Sequence, residues 1–403
     1  MPSLRDVELA RERIDDQVVL TPCKRSLVFS DLLDANIWFK FENLQRTGSF
    51  KDRGALNRLL QLSEQERARG VVTASAGNHA QAVAYHATRL GVPSTVVMPE
   101  TTPIIKVTNT ERNGARVILE GGHLSDALKV ARRLEAEDGT TLVHAYDDET
   151  IVAGQGTVGL EMLEQVPDLD SIVVPVGGGG IISGTALALK SLRPDVRVYG
   201  VEAAAAPSAR VSREQGHPVM IESSETIADG IAVKRIGDIT FPLMERYVDD
   251  LFEVEEEEIA SAVLMLLERQ KTVVEGAGAV GLAALLNGRV PVRPGENVAV
   301  ILTGGNIDIT RVSRIIDRGM VVDGRAARLL VRGRDRPGFL AGLTRTVAGA
   351  GASVLEVAHR RSFADISVGD VEIVLHLETR GRDHVRRIVK LLEAQGHQVE
   401  MDV

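Results

Sequence analysis

A lysine directly behind an aromatic residue closes the stretch Gly48-Ser49-Phe50-Lys51, within the longer run FENLQRTGSFKDRGALNRLL, where strand patterning gives way to helical patterning. An amine held at a helix start can link covalently to an aldehyde cofactor; the plainer reading is a solvated lysine with no chemical part. A second stretch bears on the choice. Ser171–Val176 is a six-residue apolar run, Gly177-Gly178-Gly179-Gly180 follows at once, and Ile181–Leu192 has helical periodicity. Four residues without side chains let backbone N–H groups converge, and the helix N-terminus adds its positive dipole end, so the geometry suits a phosphate dianion. Glycines this dense exceed the needs of a tight connection. The dinucleotide fingerprint fails because the fifth place after Gly178 is Ser183, and the triphosphate loop fails because Gly184 is followed by Thr185 with no lysine. A small phosphorylated cofactor fits better than NAD or ATP.

Around these stretches the chain alternates short β-branched runs with helical patterns, the signature of parallel βαβ units. Helices are predicted at Leu4–Ile14 with Ser3 as N-cap, His79–Leu90, Ile104–Asn113 and Ser125–Glu137. Strands are predicted at Ile37–Glu42, Gly70–Ala74, Ser94–Met98, Arg116–Leu119, Val196–Val201 and Asn297–Leu302. Ser75-Ala76-Gly77-Asn78 joins a strand to a helix, Thr226–Gly230 reads as a turn-like loop, and Thr303-Gly304-Gly305-Asn306 follows the last of these strands. The acidic run Glu255–Glu258 heads a helix through Arg269, a charge placement that favours a solvated helix start over metal binding. From about Asp323-Gly324 the texture changes. Alternating runs at Ala326–Arg332, Ala352–His359 and Val371–Glu378 interleave with helices at Phe339–Ala348 and Arg382–Gln395, and a short strand near Val399–Val403 completes a ferredoxin-like βαββαβ order.

Bulk properties narrow the classes. The 403 residues allow two or three domains, and 47 Lys+Arg against 56 Asp+Glu give a net charge of −9, against the basic footprint of a nucleic-acid or anionic-membrane binder. The single cysteine, Cys23, excludes an intramolecular disulfide and a cysteine-rich zinc site and suits a reducing compartment; its plain reading is a small buried apolar residue. The first residues, MPSLRDVELARERI, lack the apolar core of a secretory signal, and no run is long and apolar enough to cross a bilayer, so a cytoplasmic protein is expected.

FENLQRTGSFKDRGA, TASAGNHAQ, PVGGGGIISG, TIADGIAV, VEGAGAVG and ILTGGNID occur in this order, and the set resembles the motifs of the threonine dehydratase group of pyridoxal-phosphate enzymes. The resemblance covers nearly all of residues 1–318, and the tail 326–403 resembles a single ACT regulatory domain. It implies an α/β architecture of fold type II, tryptophan synthase β-like. The catalytic region would be 1–320, with a large domain from 1–50 and 152–320 and a small inserted domain 51–151.

By the same resemblance, Lys51 holds pyridoxal 5'-phosphate as a Schiff base and then acts as the base at Cα. Phe50 lies against the cofactor ring, Asn78 meets the ring hydroxyl oxygen, and Gly177, Gly178, Gly179, Gly180 and Ile181 grip the phosphate. Ser75, Ala76, Gly77 and Asn78 seat the substrate carboxylate, with Asp229 and Gly230 close by. Thr303 faces the pyridine nitrogen where many relatives carry serine; a neutral hydroxyl restrains the electron sink and favours prompt loss of a β-substituent. The implied reaction is L-threonine to 2-oxobutanoate and ammonia, with L-serine slower. Alternatives are serine or 3-hydroxyaspartate dehydration, racemisation, and a non-catalytic amino-acid sensor.

Serine racemases carry a second serine where this chain has Ala76, which speaks against racemisation. Their divalent-cation ligands match Glu202, Ala206 and Ser208; Ser208 replaces a carboxylate, so a weak monovalent site or none is expected. In the tail, Asp335, Pro337, Gly338 and Phe339 mark the turn where an isoleucine or valine effector would bind. A homo-oligomer, dimer or tetramer, is the implied assembly.

Overall fold

The computed structural model describes every residue except 223, 362–366, 368 and 403, so Val403, expected to close the last strand, lies outside the described residues. The chain separates into two compact units, Met1–Ile307 and Asp308–Val403. The helix Ile309–Val322 groups with the second unit, whereas the sequence reading carries the catalytic region to residue 320.

In the first unit six strands form a sheet in the order Cys23–Arg25, Asn36–Lys40, Asn297–Ile301, Ser171–Pro175, Arg197–Ala203 and Asp250–Val254. Only the first pair is antiparallel. Parallel neighbours need long crossovers; that is how Asn297–Ile301, late in the unit, comes to lie between an early strand and the strand before the glycine run. Ser171–Pro175 is buried at every position, as an apolar run without alternation requires. Four strands, Arg116–Leu119, Ser94–Met98, Val71–Ala74 and Thr141–Leu142, form a second, all-parallel sheet.

The lysine opens the helix Lys51–Leu60, which packs on the helix Glu149–Gln165. The two approach backbone to backbone: a Cβ at Gly154 would lie 2.7 Å from Cα of Gly54. Two residues past the lysine, Arg53 is fully buried. Its guanidinium donates to both carboxylate oxygens of Glu42 at 2.8 Å and to Glu161 at 2.5 and 2.8 Å, while the buried Lys40 donates to Glu161 and to the Thr21 carbonyl. Burial pushes the Glu42 carboxyl up, but the guanidinium facing it wins and holds it below the usual carboxylate range. This charged cluster ties the lysine's helix to the Asn36–Lys40 strand and to the Glu149–Gln165 helix.

The second unit runs Ala326–Arg334, Phe339–Ala350, Ser353–Arg360, Asp370–Glu378, Arg382–Glu393 and Gln398–Asp402, the strand and helix order expected. Its sheet is antiparallel throughout. Leu329, Val331, Val371, Ile373, Leu375 and Leu377 meet Leu343, Val347, Val385, Ile388 and Leu392 of the two helices in one core.

Three strands were not expected. Thr141–Leu142 has two residues and Cys23–Arg25 three, too few for periodicity to register, and Asp250–Val254 carries two acidic residues on an edge. The helix after the acidic run keeps α geometry over Glu256–Met265 and then widens to a π turn at Leu266–Gln270 that ends at Lys271 with φ 59°. Glu255 closes its start, with its backbone N–H donating to Glu258. The loop expected at Thr226–Gly230 ends in a 3-10 turn over Asp229–Ile231. Cys23 is half-buried, and burial pushes its thiol up to about 11.

Candidate active site

The residues leading into Lys51 are stitched to the loop after Asn297–Ile301. The Phe50 N–H donates to the Thr303 carbonyl at 3.0 Å, Ser49 bridges Gly304, and the Gly305 N–H donates to the Gly48 carbonyl at 2.9 Å. Gly48 has φ +79°, and a Cβ there would lie 2.7 Å from Oδ1 of Asn306, so both conformation and space call for glycine. On the helix side, Asp52 accepts from the Thr47 backbone N–H (3.0 Å) and hydroxyl (2.7 Å) and from the buried His86 ring (3.0 Å). The buried Thr303 is thereby held beside the Lys51 helix start.

The Lys51 amine donates to the Ala145 carbonyl at 2.7 Å and stands 5.0 Å from the Phe50 ring centroid. Burial lowers its pKa to about 8, against a smaller upward pull from Glu275. Next to Ala145, His144 Nδ1 accepts from the backbone N–H groups of Tyr146 and Asp147, which fixes its proton on Nε2. The Tyr146 ring continues this loop onto the glycine run: a Cβ at Gly178 would lie 2.2 Å from its Cγ. Any side chain at 178 would evict the ring.

The glycine run itself turns as a phosphate seat requires. Gly179 has φ +90° and precedes the helix Gly180–Leu192. The Gly178 carbonyl accepts from Thr240 Oγ1 at 2.7 Å, and the Ser183 hydroxyl donates to the Thr240 carbonyl at 3.0 Å. Gly177 backs onto the loop with Asp229 and Gly230, since a Cβ on it would lie 3.0 Å from Cα of Ile231.

Across the site, Ser75 to Gly77 form the N-terminus of the helix Asn78–Arg89, with the Gly77 N–H donating to the Ser75 hydroxyl at 3.3 Å. Asn78 Nδ2 donates to Glu275 Oε1 and its Oδ1 accepts from Asn306 Nδ2, both at 2.7 Å. Burial pushes Glu275 up to about 7, with Asp229 adding to the shift. Asp229 meets Lys106 at 2.8 Å, and a Cβ at Gly230 would lie 3.4 Å from Glu275. His79 donates from Nε2 to the Val143 carbonyl at 3.0 Å; burial and the Lys51 charge drive it down to about 3.

These contacts link the stretches in turn: Tyr146, next to the carbonyl that Lys51 meets, packs on Gly178, Gly177 backs the Asp229–Ile231 turn, Gly230 approaches the Glu275 that receives Asn78, and the Thr303 carbonyl accepts from the Phe50 N–H. Sequence reasoning did not assign Glu275, Asn306, Tyr146, His144 or Thr240. Glu275 and Asn306 lie inside two of the quoted motifs, VEGAGAVG and ILTGGNID, so a signal for them was present.

Outside this space, the Glu202 carboxylate accepts from the backbone N–H groups of Ala209 and Arg210, each at 2.8 Å, and burial pushes it up to about 8. Ser208 opens the helix Ser208–Gln215 to which these N–H groups belong, and Ala206 lies two residues before it. Among the described residues no group of three or more His, Cys, Asp or Glu is arranged to hold a metal ion. Nor, among them, is any helix long and apolar enough to cross a membrane. In the second unit, a cavity of about 740 Å³ is lined by residues including Arg334, Pro337, Phe339, Asp370 and His397. Asp335 turns instead to Arg361 at 2.6 Å, and Gly338 takes φ +90° before the helix Phe339–Ala350.

A family model described as pyridoxal-phosphate dependent enzyme matches residues 14–304. The chain belongs to this family. It is 47% identical over 401 residues to an L-threonine ammonia-lyase of Thermotoga maritima, covering 100% of each chain. Among solved structures, it is 41% identical to a threonine deaminase of T.th. over 76% of this chain and 99% of that one, with a TM-score of 0.72. It is 36% identical to the serine racemase of Dictyostelium discoideum over 76% and 99% of the two chains, also with a TM-score of 0.72.

The residues present fit pyridoxal phosphate: an amine of lowered pKa, glycine N–H groups at a helix start with the Gly178 carbonyl bound elsewhere, and a buried hydroxyl at Thr303. The neutral amine is the nucleophile towards the cofactor aldehyde. Attachment to cofactor-free protein should therefore speed up about tenfold per pH unit up to about 8 and level off above it, because the neutral fraction saturates past the lowered pKa. Stopped-flow absorbance from pH 6 to 11 checks this; a rate still climbing past pH 10 would show an ordinary lysine.

Proposed function

We propose that the protein converts L-threonine into 2-oxobutanoate and ammonia, and L-serine more slowly into pyruvate and ammonia. The water lost in β-elimination returns on hydrolysis of the released enamine, so the net reaction yields one oxo-acid and one ammonia per amino acid. The single observation that carries the reading is the half-buried amine of Lys51, whose pKa is lowered to about 8, in a chain that also carries a glycine turn at one helix start and, at another, a loop able to seat a carboxylate. When bound, the cofactor supplies the electron sink that makes the Cα proton removable.

The protein's own groups then have separate tasks. Gly177 to Ile181 would hold the phosphate through backbone N–H groups at the positive end of the Gly180–Leu192 helix. Phe50 and the Asp229–Gly230 loop would bound the cofactor ring, with Asn78 on the side of its hydroxyl oxygen and the neutral hydroxyl of Thr303 available to its nitrogen. Ser75 to Asn78 seat the substrate carboxylate at the start of the Asn78–Arg89 helix. Lys51 takes the Cα proton; its pKa of about 8 leaves part of the amine neutral at pH 7 to 8. Ala76 has no proton to give on the opposite face, which disfavours racemisation.

Residues 51–151 act on this reading as a small domain beside the site. The tail serves as an ACT regulatory domain that takes isoleucine or valine at the turn Asp335–Phe339, in a cytoplasmic homo-oligomer. The test is to incubate purified, cofactor-loaded protein with L-threonine, L-serine and 3-hydroxyaspartate, measuring oxo-acid, ammonia and D-amino acid, with and without isoleucine. Threonine should turn over fastest, with isoleucine moving its saturation curve. Substantial D-serine would contradict the role given to Ala76, and an unmoved curve would leave the tail an assembly device.

A further inference from the structure

The amide of Asn78 is held in one orientation by two groups, neither of which belongs to the glycine cradle or to the lysine. Its Oδ1 accepts from Asn306 Nδ2 and its Nδ2 donates to Glu275 Oε1, each at 2.7 Å. Turning the amide over would set two N–H₂ groups against each other at Asn306 and two acceptor oxygens against each other at Glu275. Asn306 Nδ2 is itself fixed, because it also donates to the Thr47 carbonyl at 2.7 Å in the strap that leads to Lys51.

Glu275 is anchored on the other side. Its backbone N–H donates to the Gly304 carbonyl at 3.0 Å, its carboxylate also accepts from the Asn306 backbone N–H, and a Cβ at Gly304 would lie 2.4 Å from its Oε1 and 3.0 Å from Asn78 Nδ2. Both groups that reach the carboxylate are donors, and a glutamine of the same shape turns one of its two acceptor oxygens into an N–H₂ donor. Two hydrogens ride on Asn78 Nδ2, and Glu275 uses one.

We propose that Glu275 is a positioning residue that locks the Asn78 amide so that its remaining N–H faces the ring hydroxyl oxygen of bound pyridoxal phosphate. The inference rests on the cofactor reading above and adds to it a residue acting through Asn78 without touching the cofactor. Changing Glu275 takes away one of the two groups that hold the amide, leaving Asn306 alone on its oxygen, so the Nδ2 end loses its fixed aim and the cofactor's hydrogen bond to it weakens, worth up to about a tenfold change in affinity.

A double-mutant cycle on the full-length protein tests it. Wild type, Glu275→Gln, Asn78→Ala and the double variant are titrated with pyridoxal phosphate, reading the dissociation constant and the visible absorption band of the lysine-bound cofactor. Glu275→Gln and Asn78→Ala should each raise the dissociation constant about tenfold and shift the band alike, and the double variant should match Asn78→Ala alone. Multiplied losses in the double variant, or an unchanged band and constant in Glu275→Gln, would overturn the proposal while leaving the cofactor reading intact. Thermal midpoints of the cofactor-free proteins separate a folding defect: Glu275→Ala, expected to match Glu275→Gln in spectrum whatever its stability, keeps the test decisive if Glu275→Gln unfolds. Absence of any lysine-dependent band in wild type would instead sink the cofactor reading and this inference with it.

Discussion

Lys51→Ala is expected to abolish oxo-acid release from L-threonine, a fall of at least about 10³-fold, within the range for removing a positioned base. The expectation has two parts. On the proposed reading the amine anchors the cofactor, so affinity should fall, and it also takes the Cα proton, so restoring occupancy with excess pyridoxal phosphate should not restore turnover. The neighbouring titratable groups offer no replacement. His79 is held near pKa 3 with Nε2 given to the Val143 carbonyl, His144 spends Nδ1 on two backbone N–H groups, and Glu275 is engaged by Asn78. The glycine cradle and Thr303 are untouched by the change, so the variant should still fold. Turnover that returns on saturating the variant with cofactor would show that Lys51 is an anchor only.

Arg53→Met should cost about 3–5 kcal/mol of stability, read as a lowered urea midpoint of the cofactor-free protein. The reason is what the guanidinium leaves behind. Glu42 is wholly buried and Glu161 nearly so, and between them they receive four of its hydrogen bonds. Lys40 covers only one of those carboxylates. Methionine fills the volume but leaves the Glu42 charge without its guanidinium. Because Arg53 lies two residues from Lys51 on the same helix, the amine should also lose its fixed place, so cofactor affinity falls in step with stability. Arg53→Lys restores charge without the planar fork and should recover only part of the loss. A midpoint unchanged in Arg53→Met would mean that the cluster is not the brace described.

The parts of the site that were legible in the sequence are those whose chemistry constrains neighbours along the chain. A phosphate seat needs small residues in succession before a helix, and Gly177–Gly180 show that in four letters. Lys51 became legible only when five other motifs stood in register with its own. The rest depends on topology. Asn297–Ile301 inserts beside Asn36–Lys40, which brings Thr303, Gly304 and Asn306 against Gly48, Ser49 and Phe50, residues about 250 positions away. No local pattern announces that pairing. Tyr146 stands over Gly178 from a loop with no periodicity to read, and Thr240 donates to the Gly178 carbonyl from the start of the short helix Thr240–Tyr247. Glu275 sat inside a quoted motif, but its role follows from the two donors that face it, and those arrive from Asn78 and Asn306.

The buried cluster of Arg53, Glu42, Glu161 and Lys40 illustrates the same limit. Each residue is ordinary in its own stretch, and charged residues at helix and strand ends default to solvent. Only the approach of the Lys51–Leu60 and Glu149–Gln165 helices, permitted by Gly54 and Gly154, closes them together. In the tail, by contrast, alternation along three of the four strands was enough to order the elements, because one face of an antiparallel sheet is buried and the other is not.

The most direct measurement of the central claim is the product ratio from L-threonine with purified, cofactor-loaded protein. Equal amounts of 2-oxobutanoate and ammonia should accumulate, with no D-amino acid and none of either product from Lys51→Ala. Threonine left unconsumed by a protein that carries the lysine-bound cofactor, or consumed without ammonia, would contradict the account.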